Sequence, residues 1–342
     1  MKAVIVRDHG EPSGLSYETM DDPVPTGRHV LVKVHACGVC RRDLLVRRAP
    51  PTRELHSPLV LGHEISGEVV GLGPRARGFQ IGDRVVSTQR EYVCGHCSKC
   101  RTDRETLCAD LRFLGNQAMG GYAELVLVND DNLCQLPEGV DYVTASIVGC
   151  PVGTAYNAVC DTGLVRIGER VLVTGMGGVG THAVQIAKAV GAFVIATTRD
   201  GRKAPMLKEL GADAVVVAPD GQFAKAVREA SGAGGVDVVI DTVGGPAFQQ
   251  ALRAVVLGGR IVLVGDVTGK PVEVKMTSIY RRGLEIRSAV STSRRQLQMA
   301  LRMVAAGQIR PLVAKTLPLS EAAEAHRLSE SDELLGRVVL IP

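Results

Sequence analysis

Nine cysteines carry the most specific chemistry in this chain, and their spacing sorts them into kinds. Cys94, Cys97, Cys100 and Cys108 follow one another at gaps of two, two and seven residues, four thiols inside fifteen positions. Four thiolates in one short loop match closed tetrahedral zinc coordination, which leaves no position for a substrate. The segment also holds Arg101, Asp103, Arg104 and Glu105, too polar for a packed cluster of free thiols, so it reads as a structural zinc site. His96 is a rival ligand, but it stands between two of the cysteines and crowds the loop. A second pair opens the stretch CGVCRRDLLVRR, residues 37–48. A thiolate at Cys40, beside Arg41, Arg42 and Asp43, reads locally as a nucleophile, a redox centre or a metal ligand. Candidate partners for the metal reading are Gly62-His63-Glu64 and Val148-Gly149-Cys150-Pro151, each of which taken alone reads as packed core.

A different chemistry is written at Gly175-Met176-Gly177-Gly178-Val179-Gly180, a G-x-G-x-x-G pattern with an apolar strand before it and a helix opening at Thr181 after it. Gly175 permits the tight turn, Gly177 lets the backbone approach a pyrophosphate, and Gly180 lets the helix pack on the strand. The helix N-terminus offers unpaired N–H groups to the phosphates. The next strand ends Ile-Ala-Thr-Thr-Arg-Asp, residues 195–200. An acid at its end would grip a ribose 2′-hydroxyl and select NAD. The apolar run stops at Ala196, which puts Thr198 in that place and leaves Arg199, with Lys203 nearby, to meet a 2′-phosphate. The expected cofactor is NADPH; a two-residue slip would place Asp200 there and restore NADH.

These motifs need two kinds of scaffold. Residues 1–130 read as short strands with turn signals, among them Val30–Val34, Ile65–Gly71, 82–86 and Tyr122–Val128, an antiparallel, glycine-rich region. From about residue 165 the rhythm becomes strand, glycine turn and helix. Strands are expected at Arg170–Thr174, Phe193–Thr197, Ala214–Val217, Val236–Ile240 and Arg260–Val264, with helices at Thr181–Val190, Lys203–Leu210 and Gln222–Ala230. That alternation implies an α/β fold, a doubly wound parallel sheet. A tail helix, Gln296–Ala306, and a last strand, 336–341, could return to the first region and make the second domain an insertion. The chain of 342 residues has a net charge of +4 and 3% aromatics without Trp, which argues against nucleic-acid binding. It contains no run of about 18 apolar residues and no signal peptide, and its cysteines suit a reducing compartment, so a cytoplasmic protein without membrane partners is expected.

Taken together, Gly-Val-Cys-x-x-Asp (38–43), Gly-His-Glu (62–64), the four-cysteine lobe, Gly-Gly-Tyr-Ala-Glu (120–124), Gly149-Cys150 and the glycine turn resemble the zinc-containing medium-chain dehydrogenases/reductases, the alcohol dehydrogenase superfamily, over essentially the whole length. The resemblance implies a GroES-like catalytic domain over 1–152, with a zinc lobe at about 92–110, completed by 293–342, and a Rossmann domain over 153–292. It implies that Cys40, His63 and Cys150 hold a catalytic zinc, that Glu64 approaches as an exchangeable fourth ligand, and that Asp43 steadies the ligands. Two zinc ions per subunit follow. It also implies Thr154 under the nicotinamide, Arg41 near the pyrophosphate, Arg294 reaching the phosphates, and a homodimer or homotetramer. Cys37, Cys134 and Cys160 are left as ordinary buried thiols.

The pattern breaks at one point. In alcohol dehydrogenases of this family the residue two after the first cysteine ligand is normally Ser or Thr, and it passes the alcohol proton outward, often to a His three positions on. Here those positions are Arg42 and Leu45. Arginine cannot act as a base in proteins, and leucine carries no proton. A reductase of a carbon–carbon double bond conjugated to a carbonyl does not need the relay. The stretch Cys-Arg-Arg-Asp-Leu-Leu (40–45) also resembles the matching segment of archaeal-type acryloyl-coenzyme A reductases, as do, less specifically, Val-Ile-Asp-Thr-Val-Gly (239–244) and Gly-Gly-Arg-Ile-Val (258–262). The expected activity is therefore reduction of a small enoyl substrate, a coenzyme A thioester whose phosphates Arg41, Arg42, Arg47 and Arg48 could meet. The alternatives are an alcohol dehydrogenase or carbonyl reductase with another proton route, and a non-catalytic NADPH-binding relative; intact ligands argue against the last.

Overall fold

The computed structural model describes residues 1–49, 55–331 and 334–342. The chain forms two compact units: Met1–Gly153 with Ser291–Gly307 and Pro311–Pro342, and Thr154–Val290 with Gln308–Arg310.

In the first unit the β-branched, alternating stretch His29–Gly38 forms the hub of a seven-stranded sheet. Val30, Val32 and Val34 point into the core, as period two requires. This strand pairs antiparallel with Glu64–Leu72, with Leu125–Asn129 and with Arg337–Ile341. Arg84–Ser87 and Leu133–Gln135 extend one side and Val313–Pro318 the other, the last parallel to its neighbour. Register decides what meets at the end of the hub: Gly38 lies opposite both Glu64 and Val339. The residues just beyond that end, Cys40 and His63, are thereby brought to one place. The stretch after Cys40 is a helix, Arg41–Arg48, with Asp43, Leu44, Val46 and Arg47 buried and Arg41, Arg42, Leu45 and Arg48 exposed.

The second unit holds a six-stranded, all-parallel sheet in the order Ala214–Val217, Phe193–Thr198, Arg170–Thr174, Val236–Asp241, Val255–Leu263, Glu285–Ser288. This is the doubly wound order 3-2-1-4-5-6, whose strand direction of growth reverses beside Arg170–Thr174. The glycine turn follows that strand directly. The helix begins at Gly178, three residues earlier than expected, because the last glycines of the turn already take helical geometry. Several elements lacked a periodic signal: the hairpin Lys2–Val6 with Leu15–Thr19, the helices Arg41–Arg48 and Tyr142–Ser146, and the edge strand Glu285–Ser288. Among the described residues no single helix is long and apolar enough to cross a membrane.

Candidate metal centres and dinucleotide turn

Cys40, His63, Glu64 and Cys150 are all buried, and one ligand atom from each lies within 4.8 Å of the others. The sulfurs of Cys40 and Cys150 are 4.0 Å apart. Two glycines make the approach possible. A Cβ on Gly38 would stand 2.3 Å from Oε2 of Glu64, and one on Gly149 would stand 2.1 Å from the Ser87 carbonyl oxygen. Asp43 receives the Cys40 N–H at 2.9 Å and the Gly62 N–H at 3.3 Å, and its Oδ1 lies 3.2 Å from Nδ1 of His63. With Nδ1 so engaged, Nε2 is the nitrogen left for a metal.

A cation fits this place. Burial works against charge on His63, yet the Asp43 carboxylate and the Cys40 sulfur raise its pKa to about 10. The Cys150 thiol, Arg337 and His63 hold Cys40 well below the usual thiol range, against its burial. Glu64 is pushed up to about 7, chiefly by burial, while Arg337 opposes. Arg337 lies 3.0 Å from Oε1 of Glu64 and 3.5 Å from the Cys40 sulfur. Oε2 of Glu64 is buried and accepts no hydrogen bond among the described residues. The two sulfurs, Nε2 of His63 and the unpartnered Glu64 Oε2 form a donor set that suits a divalent ion, which would supply the positive charge that a protonated His63 provides without it.

The four lobe cysteines form the second cluster within the same 4.8 Å limit. Backbone N–H groups of Cys97, Cys100 and Cys94 point at the sulfurs of Cys94, Cys97 and Cys108, at 3.4, 3.5 and 3.5 Å. The N–H groups of Cys97 and His96 bring Cys94 down to about 6, whereas burial pushes the Cys100 and Cys108 thiols up. His96 instead turns Nδ1 to the Cys94 carbonyl, 2.8 Å away, and stands outside the cluster. Between the third and fourth cysteines, Glu105 accepts the Arg294 N–H at 2.7 Å and lies 3.9 Å from the buried Arg90. Arg90 in turn donates to Ser291 Oγ and to the Thr292 carbonyl. The lobe is therefore tied to the segment where the chain re-enters the first unit.

In the second unit Gly175 takes a φ of +77°, and a Cβ there would lie 2.5 Å from Thr242 Oγ1. A Cβ on Gly180 would meet the Gly175 carbonyl oxygen at 1.8 Å, so the helix can sit this close to the turn only with glycine. A Cβ on Gly177 would project into open space, the opening a pyrophosphate requires. Gly178 and Val179 open the helix Gly178–Val190, the turn N–H groups of which suit an anion. Thr198 closes the second strand, buried, with its hydroxyl bonded to the Asp200 backbone. The Asp200 carboxylate is engaged by Arg202 N–H and side chain, at 2.9 and 3.0 Å. Arg199 is exposed and Lys203 half-buried beside it. Thr154 is buried at the start of this unit. Arg41 is exposed on the helix after Cys40, and Arg294 opens the helix Arg294–Ala305.

The arginine-rich stretch behaves differently from its sequence impression. Arg47, expected as a surface cation, is 1% exposed and bonds to Glu330, Gly10 and His326. Arg42 lays its guanidinium over Phe113, 4.2 Å from the ring centroid, and donates to Asn116 Oδ1 at 3.3 Å. Phe113 meets the His63 ring edge-on at 5.1 Å. Sequence reasoning had no signal for Phe113, Asn116, His326 or Arg337, which matter only through long-range contacts.

Residues 26–138 match the alcohol dehydrogenase GroES-like domain and residues 178–306 match the zinc-binding dehydrogenase domain. The chain belongs to the zinc-binding medium-chain dehydrogenase/reductase family, and it is an NAD(P)H-dependent oxidoreductase acting on small molecules. It is 33% identical to an acryloyl-coenzyme A reductase of Sulfurisphaera tokodaii, covering 100% of both chains. It is also 33% identical to an alcohol dehydrogenase of Geobacillus stearothermophilus, covering 99% of this chain and 98% of that one. The crystal structure of AibC is similar at a TM-score of 0.95 and 42% identity, covering 100% of this chain and 96% of that one. The family and the two clusters support zinc and a nicotinamide cofactor.

Proposed function

We propose that the protein reduces the carbon–carbon double bond of a small enoyl thioester with NADPH. The carrying observation is Arg42. At the position where alcohol dehydrogenases of the family place a hydroxyl, its guanidinium is held on Phe113 and Asn116 beside His63. Leu45, the second relay position, is 51% exposed and cannot carry a proton. A substrate that neither gains nor loses a proton on oxygen tolerates this loss. In the overall reaction NADPH supplies a hydride, a proton comes from solvent, and the saturated acyl thioester and NADP⁺ leave. The 33% identity to an acryloyl-coenzyme A reductase supports the same reading.

In this reading Cys40, His63 and Cys150 hold one zinc, Glu64 serves as an exchangeable fourth ligand, and the lobe holds a second, structural zinc. Bound in the centre, zinc supplies Lewis-acid polarisation of a carbonyl oxygen. Asp43 fixes the His63 ring, and Arg337 balances Glu64. Thr198 and Arg199 are read as selecting NADPH: Thr198 ends the strand, and Asp200 beyond it already pairs with Arg202, a contact that a ribose hydroxyl would have to displace. Of the arginines expected to meet coenzyme A phosphates, Arg48 stays exposed, while Arg47 is buried and Arg42 is committed to Phe113 and Asn116. The family resemblance assigns Thr154 to the nicotinamide and Arg41 and Arg294 to the cofactor phosphates, and with it a homo-oligomer in the cytoplasm.

The test is a paired assay on one zinc-replete preparation: NADPH oxidation with acryloyl- and crotonyl-coenzyme A against NADP⁺ reduction with simple alcohols. Enoyl turnover with negligible alcohol oxidation is expected. Alcohol turnover at about 10 s⁻¹, the ordinary enzyme range, with inert enoyl thioesters would overturn the proposal in favour of an alcohol dehydrogenase.

A further inference from the structure

We infer that Tyr122 and His326 are positioning residues for the buried metal centre, acting through Asp43 on the ring of His63 along a hydrogen-bond chain that starts at Arg47. All five side chains are buried. They come from separate parts of the first unit: the helix Arg41–Arg48, the loop before Leu125–Asn129, the helix Ala322–Glu330, and the residue just before the strand Glu64–Leu72. The inference rests on the zinc reading of Cys40, His63 and Cys150.

The direction of each bond follows from what each group can do. Arg47 Nε lies 3.1 Å from Nδ1 of His326, and an arginine N–H can only donate. Nδ1 of His326 is therefore the acceptor and Nε2 carries the hydrogen. Nε2 lies 3.1 Å from the Tyr122 hydroxyl, which accepts there and turns its own hydrogen toward Asp43 Oδ2, 3.5 Å away and the longest link. Asp43 then receives Tyr122, the Cys40 N–H, the Gly62 N–H and Nδ1–H of His63. Four donors on two carboxylate oxygens fill its accepting capacity, so its orientation is over-determined.

Packing points the same way. The Tyr122 ring lies against Gly62, where a Cβ would come within 2.5 Å of the ring, so it also braces the backbone that presents His63. A phenylalanine would fill that space equally well. A buried hydroxyl is costly unless it is bonded, and this one has partners on both sides. Burial holds the His326 pKa at about 4, which keeps the ring neutral and the donor pattern fixed. The chain is not a substitute proton relay, because its outer end is a guanidinium tied to Glu330 and the Gly10 carbonyl. Its work is geometric.

The test uses the full chain loaded with cobalt(II) in place of zinc, then challenged with a chelator. The thiolate–cobalt absorption bands and metal content are followed, and the four-cysteine lobe serves as internal reference. Loss of such outer partners typically weakens metal affinity by about 10–100-fold. Tyr122→Phe should weaken retention at the centre by that factor, shift its cobalt spectrum and leave the lobe unchanged. His326→Leu should do the same. His326→Gln, which can still donate to the Tyr122 hydroxyl, should recover much of the loss. The double variant should lose little more than either single one, as members of one chain do. A folded Tyr122→Phe protein with retention within twofold of wild type and an unchanged spectrum would overturn the inference. If that variant does not fold, the His326→Leu and His326→Gln pair decides on the same readouts. Wild-type protein that holds cobalt only in the lobe would instead refute the zinc reading on which the inference rests.

Discussion

Glu105 should stabilise the first unit far more than a half-exposed loop carboxylate normally does. Its Oε1 accepts the Arg294 N–H at 2.7 Å and faces the Arg90 guanidinium at 3.9 Å. The Arg90 side chain is only 1% exposed, and its hydrogen-bond partners, Ser291 Oγ and the Thr292 carbonyl, are neutral. Burial lowers the Arg90 pKa to about 10, and Glu105 opposes that fall. Two unit charges near 4 Å attract by about 4 kcal/mol at an effective dielectric of roughly 20. The charge-assisted bond to Arg294 contributes about 1.5–3 kcal/mol. Because breaking a buried pair leaves the partner uncompensated, Glu105→Ala should cost about 3–5 kcal/mol. Glu105→Gln keeps an acceptor for Arg294 and loses only the charge, so about half that cost is expected. Urea unfolding of zinc-replete protein, followed by circular dichroism, gives the magnitude. Amide exchange at Arg294 reports the bond itself. A Glu105→Ala protein within about 0.5 kcal/mol of wild type, the range of an ordinary surface change, with a protected Arg294 amide would refute the reasoning.

Metal analysis of the full chain should find two zinc ions; Cys97→Ser should impair folding, since structural zinc contributes folding energy, while Cys40→Ser should spare the fold and abolish turnover. Like behaviour of the two variants would contradict the separate roles. Arg199→Ala should raise the KM for NADPH tenfold or more and that for NADH little, because a charge-assisted contact is worth about 1.5–3 kcal/mol; equal effects would remove Arg199 from the 2′-phosphate. His326 is held near 4 by burial against an ordinary 6.5, so the unfolded chain takes up its proton first as pH falls. Its penalty is absent above 6.5, grows down to 4 and reaches about 3 kcal/mol, so His326→Gln should flatten the loss of stability across that window, and parallel acid-unfolding curves would contradict the burial. Arg42→Thr with Leu45→His should raise residual alcohol oxidation, general acid–base assistance being worth about 10²–10⁴-fold, without improving enoyl reduction.

Short-range patterns were legible in the sequence. The strand Arg170–Thr174 and the strand Ala214–Val217 lie where the apolar runs put them, and the glycine turn sits between strand and helix as its spacing requires. Cys40, His63, Glu64 and Cys150 do come together, but spacing alone left Cys40 open among three chemistries, and family resemblance grouped the four. What sequence reading missed depends on distant partners. Arg47 looked like one more surface cation. Yet helical period places it four residues after Asp43, on the inward face, where Glu330 and His326 await it. Arg337 is the one charged residue of the expected last strand, and nothing local says that strand pairing will carry it to Glu64. Tyr122 fell within an expected strand, whereas the strand begins at Leu125 and Tyr122 lies in the buried loop before it.

The first unit is written in three separated stretches of chain, and this sets a schedule for its birth. The lobe cysteines emerge from the ribosome almost together, so that site can close early. The buried centre cannot. Cys150 follows Cys40 by 110 residues and Arg337 follows it by 297. At about 5–20 residues per second, roughly 15–60 seconds separate the first thiol from the arginine that balances its neighbour Glu64. For the first part of that interval Cys40, His63 and Glu64 stand without Cys150, and for the rest all four stand without Arg337, beside an unfinished sheet. The finished buried centre, with its arginine in place, therefore exists only once the last stretch of chain has folded back onto the first.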